Sequence, residues 1–186
     1  MPRHRPSALL VCALVAFFVL ASAGGASAAN TGGASFVPPP PPPKEAKIVN
    51  GRAIAPAGAP ARVTRAIRAA NKIVRKPYLW GGGHGSFTSS LARGYDCSGA
   101  VSHALHGGRF LRTPMASGDL MSWGRKGPGR WITVYASSSH AYVVIAGLRF
   151  DTSMHDSNAP GPATGPRWSK TLRRSAAFRA RHPKNY

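Results

Sequence analysis

The chain has 186 residues and carries 25 Lys and Arg side chains against five Asp and Glu, which gives a formal net charge of +20 at pH 7. Charged residues make up only 16% of the chain, so the positive excess comes mainly from a shortage of acids. This balance argues against a charge-neutral scaffold and predicts an anionic partner: a cell-wall polymer, a membrane surface or nucleic acid. A glycosidase-like carboxylate pair is poorly supplied, because the acids are only Glu45, Asp96, Asp119, Asp151 and Asp156.

The first 28 residues have the pattern of a secretory signal peptide. Arg3 and Arg5 precede an apolar run from Ala8 to Ala21, and the Ala-Ser-Ala at 26–28 matches a cleavage site. The run is shorter than the roughly 20 residues of a membrane span, which makes an uncleaved anchor the less favoured alternative. We therefore expect a secreted or cell-envelope protein without a stable membrane anchor after cleavage. Cleavage removes two arginines and no acid, so the net charge becomes +18.

Cleavage would also remove Cys12 and leave Cys97 as the single cysteine of the mature chain. A disulfide within the chain is then impossible. An unpaired cysteine in a secreted protein indicates either an intermolecular disulfide or a reactive thiol. We favour the reactive thiol.

Residues 29–60 are predicted to be a linker, since they are rich in Ala, Gly and Pro and show no apolar periodicity. Pro38 to Pro43 is a run of six prolines, which favours a stiff polyproline II rod. A spacer is the favoured interpretation and a proline-binding partner is the alternative. Residues 61–186 are predicted to be one domain that ends in a basic tail from Arg167 to Tyr186.

Two helices are predicted in this domain. The first runs from Ala61 to about Lys76, with apolar residues on one face and basic residues on the other, and Pro77 ends it. The second begins at Cys97 with Asp96 as its N-cap, and consecutive glycines at 107–108 stop it.

Apolar runs at 132–135, 141–146 and 148–152 then predict antiparallel strands. A helix pair followed by such strands is an α+β arrangement.

Cys97 lies in the first turn of its predicted helix, where unpaired N–H groups and the helix dipole stabilise a thiolate. His140 opens a strand that is expected to pack on this helix, so its imidazole can meet the helix N-terminus. Cys97 and His140 are therefore candidates for the nucleophile and base of a cysteine hydrolase. Without further context, they are equally consistent with a small core cysteine and a strand-end histidine.

Asp151 is the candidate for the third group of this site. If Ala146 and Gly147 form a two-residue turn, Tyr142 faces Asp151, and His140 becomes its diagonal neighbour on one face of the sheet. A three-residue loop would instead place Asp151 on the opposite face. With the shorter turn, Asp151 is placed to orient the imidazole of His140.

Two segments carry a family resemblance: Pro-Tyr-Leu-Trp-Gly-Gly at 77–82 and Gly-Tyr-Asp-Cys-Ser-Gly at 94–99. They resemble the NlpC-type family of papain-like cell-wall cysteine peptidases, and the resemblance extends over about residues 61–155. It implies a papain-like α+β fold in which the helix bearing the nucleophilic cysteine packs on an antiparallel sheet. It also implies that Cys97 attacks a peptide bond in peptidoglycan stem peptides, commonly the bond between the D-glutamate side chain and a diamino acid.

The resemblance also implies finer roles. Tyr78 matches the tyrosine whose hydroxyl lies near the thiol and helps to hold the oxyanion. Trp80 would form part of the wall of the substrate cleft. Asp96 and Ser98 would lie on the substrate side of the nucleophile.

Two departures from the family pattern stand out. Asp151 occupies a position where the family often has histidine, and residues 83–93 look like a local insertion. No separate wall-binding module is recognisable, so we expect peptidoglycan and anionic wall polymers, rather than nucleic acid, to be bound by the basic surface.

Two alternatives remain open at the sequence level. One is a nonenzymatic secreted polycation that coats wall polymers or nucleic acid, and the other is an amidase or acyltransferase on the same scaffold. No metal site or cofactor is predicted: His103 and His106 share a helix face without a further ligand, and the glycines at 81–83 lack the spacing of a phosphate-binding loop.

Overall fold

The computed structural model describes residues 45–87, 90–153, 165–173 and 176–186. The predicted signal peptide and the six-proline run lie outside these residues. In the described part of the chain, no helix combines the length and the apolar character needed to cross a membrane.

Three helices and eight strands make up the described fold. In chain order they are β1 (Lys47–Val49), β2 (Arg52–Ile54), α1 (Ala61–Ile73), α2 (Cys97–Gly107), α3 (Ser117–Leu120), β3 (Arg125–Lys126), β4 (Ile132–Ala136), β5 (Ala141–Ile145), β6 (Leu148–Asp151), β7 (Arg167–Ser169) and β8 (Arg179–His182).

Helix α1 buries the apolar face that the sequence predicts. Val63, Ile67 and Ile73 are almost completely buried, whereas Arg68 and Lys72 are exposed. The helix ends at Ile73, slightly earlier than predicted and four residues before Pro77. Helix α2 packs against it as the second member of the helix layer.

Six strands form an antiparallel sheet in the order β3-β8-β4-β5-β6-β7. Its buried face carries Val134, Val143, Ile145 and Phe150, which join the core with α1 and α2. The predicted α+β, papain-like arrangement is thereby confirmed: a helix with a cysteine at its N-terminus packs on an antiparallel sheet.

The hairpin between β5 and β6 has the predicted two-residue turn. Ala146 and Gly147 both have positive φ values, 48° and 81°, as a type I′ turn requires. Val143 pairs with Phe150 across this hairpin, which is the predicted register. Asp151 therefore lies on the sheet face that leads toward His140.

The folded part of the chain begins before residue 61, within the segment assigned above to the linker. Strands β1 and β2 form a hairpin around Asn50 and Gly51, whose φ values are 49° and 74°. Ala46 and Ala53 are buried in the core, and the Ala46 N–H donates to the Ala146 carbonyl at 2.8 Å. Apolar contacts hold this segment, although its alanine-rich composition does not predict them.

The C-terminal segment is also more than the basic tail that its composition predicts. Strand β7 pairs with β6, and β8 lies between β3 and β4 in the interior of the sheet. Trp168 is buried against Phe150, with ring centroids 4.7 Å apart. Backbone pairing and this aromatic contact hold the segment on the sheet despite its polar composition.

Candidate active site

Cys97 is the first residue of α2 and is buried, with 8% of its surface exposed. The preceding Asp96 has an extended backbone, and its Oδ1 accepts a hydrogen bond from the Gly99 N–H at 2.7 Å. This is N-cap geometry, and it starts the helix at the cysteine. The thiol consequently lies at the end of α2 where N–H groups point outward.

His140 is held at the end of the loop between β4 and β5. Its backbone N–H donates to Ser137 Oγ at 3.2 Å, and its carbonyl accepts from the Ser137 N–H at 2.9 Å. The side chain reaches Asp151, with Nε2 and Oδ1 2.9 Å apart. Because Asp151 occupies Nε2, Nδ1 is the ring nitrogen left to face the thiol.

Cys97 and His140 shift each other's pKa. Burial by itself would raise the pKa of Cys97, but hydrogen bonds with the His140 side chain and with the backbone of Ala141 lower it overall. Burial would lower the pKa of His140, but its hydrogen bonds with Asp151 and Cys97 and the charges of both raise it to about 9. The two opposite shifts favour a proton on the imidazole and a thiolate at Cys97.

Asp151 is a buried carboxylate with several donors. Its Oδ1 accepts from His140 and from the Ser153 N–H at 2.9 Å, and its Oδ2 accepts from Ser153 Oγ at 3.0 Å. Arg173 and Arg149 approach Oδ2 at 3.4 and 3.7 Å. Burial would raise the pKa of Asp151, but the hydrogen bonds from His140 and Ser153 lower it to about 2.

A second histidine–aspartate pair lies at the start of α2. His84 Nε2 is 2.9 Å from Asp96 Oδ1, and Ser98 Oγ is 3.2 Å from the same nitrogen. Asp96 Oδ2 accepts from the Gly81 N–H at 3.1 Å. The carboxylate of Asp96 thus ties the 81–84 loop to the start of α2.

Tyr78 is placed beside the thiol by backbone pairing with Tyr95. Its pKa is raised, first by burial and then by the negative charges of Cys97 and Asp96. The same loop approaches α2 closely at Gly82 and Gly99: a Cβ on Gly99 would collide with the Gly82 carbonyl. Glycine at position 99 therefore lets the Tyr78 loop pack against α2.

The predicted substrate residues differ in their exposure. Trp80 is 85% exposed on the loop after Tyr78, whereas Asp96 and Ser98 are buried at 8% and 5%. The oxygens of Asp96 and Ser98 contact each other and His84.

A basic groove of about 580 Å³ opens beside His140. Lys126, Phe178, Arg179 and Arg181 line it together with Gly127 and Ala180. The ring of Phe178 lies edge-on to His140, with centroids 6.2 Å apart, and connects the groove to the site. Among the residues that the structure describes, no acidic side chain lines this groove.

Sequence reasoning missed three residues of this site. His84 lies in the apparent insertion, and no pattern there indicates that it returns to Asp96. Arg173 and Phe178 belong to the predicted tail. The one useful signal there is Phe178, since an apolar residue among basic ones indicates that its side chain packs against the domain. Within the described ranges, no group of three or more His, Cys, Asp and Glu side chains is arranged to hold a metal ion.

No protein-family model matches the chain, and no curated protein does either. Three solved structures of the Resuscitation Promoting Factor Interacting protein RipA, mutated at a histidine, a glutamate and a cysteine, are similar to it. Their identities are 20%, 21% and 21%, and their TM-scores are 0.46, 0.46 and 0.45. The matches cover 67%, 75% and 65% of this chain and 63%, 69% and 62% of the RipA chains.

This chain therefore spans a little under two thirds of the length of the first of these RipA structures. The chemistry of the site rests on this chain's own residues.

Proposed function

We propose that this protein is a secreted cysteine peptidase that hydrolyses stem-peptide bonds of peptidoglycan. The observation that carries the proposal is the arrangement of Cys97, His140 and Asp151. Cys97 is the first residue of a helix, its thiol and the His140 imidazole shift each other's pKa, and a buried carboxylate binds that imidazole at 2.9 Å. This is the nucleophile, base and orienting group of covalent peptide hydrolysis. The sequence resemblance to NlpC-type peptidases supports peptidoglycan as the substrate and the D-γ-glutamyl–diamino acid bond as the bond cleaved.

The proposed reaction has two steps. The Cys97 thiolate attacks the carbonyl carbon of the peptide bond, and His140 gives its proton to the departing amine, which leaves a thioester on Cys97. His140 then takes a proton from water, the hydroxide attacks the thioester, and the carboxylic acid leaves as the thiolate returns. In this mechanism Asp151 stabilises the imidazolium in both steps, and Tyr78 donates a hydrogen bond to the oxyanion.

Digestion of purified peptidoglycan tests this function. Wild type should release peptides with new amino and carboxyl termini, identified by mass, and Cys97→Ala should release none. Ser102→Ala is a matched control, because Ser102 is a buried residue of the same helix whose hydroxyl only bonds Met115. Identical products from wild type and Cys97→Ala would contradict the hydrolase.

The same digestion separates the amidase alternative. An amidase would detach whole stem peptides from the glycan, whereas an endopeptidase leaves the first residues attached. Alkylation of Cys97 distinguishes the nonenzymatic polycation, whose activity would survive the modification.

We further propose that the basic groove beside His140 binds the anionic part of the wall substrate. Lys126 and Arg181 are directly opposite each other on β3 and β8, and such like-charge pairs are destabilising unless an anion screens them. Arg179 extends the positive charge toward the end of the sheet where His140 lies. The exposed Trp80 would add an apolar contact on the opposite loop.

Charge reversal tests the groove. In a Cys97→Ala background, Lys126→Glu with Arg179→Glu should weaken sedimentation with peptidoglycan at low salt. Arg68→Glu with Arg75→Glu is the matched control, since it makes the same charge change at exposed positions of and just after α1. Equal losses in both pairs would show general adhesion by net charge, which high salt should abolish, and would contradict binding in the groove.

A further inference from the structure

Asp151 divides its two oxygens between different partners. Oδ1 accepts from His140 and from the Ser153 N–H, whereas Oδ2 accepts from Ser153 Oγ and faces Arg173 at 3.4 Å. The side chain of Asp151 has no exposed surface, so water does not compete for these positions. The orientation of the carboxylate toward His140 therefore depends on what holds Oδ2.

We propose that Arg173 is a positioning residue that fixes Asp151 from the side opposite His140. This inference rests on the proposed function, because it assumes that His140 and Asp151 act together in peptide hydrolysis. Arg173 belongs to the segment that follows β7, beyond the region that resembles the NlpC-type family. Its role could not be carried over from that resemblance.

Arg173 holds the carboxylate through two contacts. Its Nη1 donates to Ser153 Oγ at 2.9 Å and lies 3.4 Å from Asp151 Oδ2, and Ser153 Oγ itself donates to that oxygen. Arg149 is a weaker candidate. Its Nε lies 3.7 Å from Oδ2 and makes no hydrogen bond.

Two aromatic rings fix the position of the Arg173 guanidinium. It lies 5.7 Å from the ring centroid of Tyr142 and 5.4 Å from that of Phe178. The two rings contact each other edge-on, with centroids 5.1 Å apart. A cation held over two rings keeps its charge and loses little further freedom when it binds a carboxylate.

The charged and titratable groups around this pair are Cys97 beside His140, and Arg149, Arg173 and Tyr142 beside Asp151. Removing Arg173 has two opposite consequences for His140. Losing a cation favours the imidazolium, whereas loosening Asp151 weakens the hydrogen bond that raises the pKa of His140. We expect the weakened hydrogen bond to determine the net change, so that the pKa of His140 falls. The reason is that Arg173 lies at the carboxylate oxygen that does not contact His140.

Arg173→Met is the test variant, because methionine keeps an apolar stem against the rings. We expect kcat on a stem-peptide substrate to fall about tenfold with KM nearly unchanged, as expected when an orienting group is loosened. The alkaline limb of the pH profile should move to lower pH. Arg173→Lys should restore part of the activity, since it returns the charge without the planar fork.

Arg62→Met provides a matched control. Arg62 also lies over two rings, 4.2 Å from Phe110 and 5.5 Å from Tyr186, and it donates to the Gly108 carbonyl at 3.0 Å, but it reaches no carboxylate. Its loss should lower thermal stability while leaving the pH profile in place. An unchanged pH profile in Arg173→Met, or a limb displaced to higher pH, would overturn the positioning role.

Titration of His140 by NMR separates this inference from the proposed function. The imidazole of Arg173→Met should titrate at lower pH than that of wild type, whether or not peptidoglycan is cleaved. A wild type without hydrolytic activity would contradict the function alone. An unaltered His140 titration in Arg173→Met would contradict the positioning role alone.

Discussion

Two histidine–aspartate pairs flank the start of helix α2, and both have a nitrogen–oxygen distance of 2.9 Å. In the His140–Asp151 pair the aspartate side chain is fully buried, and the histidine lowers the pKa of the Cys97 thiol. In the His84–Asp96 pair the aspartate caps the helix, and the histidine side chain is more exposed, 28% against 20%. The same pairing thus anchors the 81–84 loop at Asp96, and at Asp151 it holds the imidazole that we propose as the base.

The two pairs differ in the other groups that each carboxylate binds. Asp96 is occupied by the Gly99 and Gly81 N–H groups, so it fixes backbone as well as His84. Asp151 binds Ser153 and Arg173 besides the imidazole, and Arg149 lies 3.7 Å from its Oδ2. A histidine–aspartate contact therefore does not by itself identify a catalytic base. The ring nitrogen that does not bind the aspartate must also face the atom that reacts.

The largest expected effect separates the two histidines. His140→Ala should lower kcat by about 10³-fold, since general acid–base catalysis contributes about 10²–10⁴-fold. His84→Ala should lower it by less than about tenfold, through a looser 81–84 loop. The measurement is the initial rate of stem-peptide hydrolysis by both variants, and losses of similar size would remove the distinction between the pairs.

The second-largest expected effect separates the two aspartates. Asp151→Asn should reduce kcat by about 10²-fold, because a neutral amide stabilises the imidazolium less well than a carboxylate does. We expect the alkaline limb of wild type near pH 9, because the pKa of His140 is raised to about 9, and this limb should move to lower pH in Asp151→Asn. Asp96→Asn should leave that limb in place. Rate profiles between pH 5 and 10 check both statements, and a displaced limb in Asp96→Asn would count against the comparison.

Acid stability sharpens the description of Asp151. Its pKa falls from 3.8 to about 2 on folding, so it stabilises the fold above pH 3.8 and this contribution is lost as the pH falls toward 2. The contribution is about 2 kcal/mol, since one pKa unit corresponds to about 1.4 kcal/mol. Urea unfolding at pH 5 and pH 2 should show a smaller loss in Asp151→Asn than in wild type. Equal losses would contradict the lowered pKa.

The smallest effect concerns the helix cap. Asp96→Ala should lower the free energy of unfolding by about 1 kcal/mol, as is typical when an N-cap side chain is removed. Ser117→Ala is a suitable control, because its hydroxyl makes a single hydrogen bond to a carbonyl at an exposed position. Chemical unfolding at pH 7 measures both changes, and an unaltered stability in Asp96→Ala would show that the cap is dispensable.

Much of the proposed nucleophile–base–carboxylate arrangement could be predicted from the sequence because it depends on local rules. An aspartate before an apolar helical pattern placed Cys97 at the helix N-terminus. A two-residue turn at 146–147 then fixed the register that brings Asp151 near His140. Both rules act over a few residues, so no knowledge of the rest of the fold was needed.

The contacts of His84 and Arg173 depend on distant parts of the chain. His84 reaches Asp96 only because the 81–84 loop folds back onto α2, and Arg173 reaches Asp151 from a segment 22 residues later. The β1–β2 hairpin is a different case, since the Asn-Gly at 50–51 is a strong hairpin signal. It lies in an alanine-, glycine- and proline-rich stretch, and that composition concealed it.

Strand β8 has a consequence for how the molecule is made. It pairs with β4 and β3 in the interior of the sheet, although β3 and β4 precede it by more than 40 residues in the chain. Strands β3 and β4 consequently cannot be joined in one sheet until residues 179–182 have been synthesised and have paired with both. Such late, long-range pairing slows folding. A chain interrupted during synthesis before this strand would carry Cys97 and His140 beside a sheet that lacks β8 and its pairing with β3.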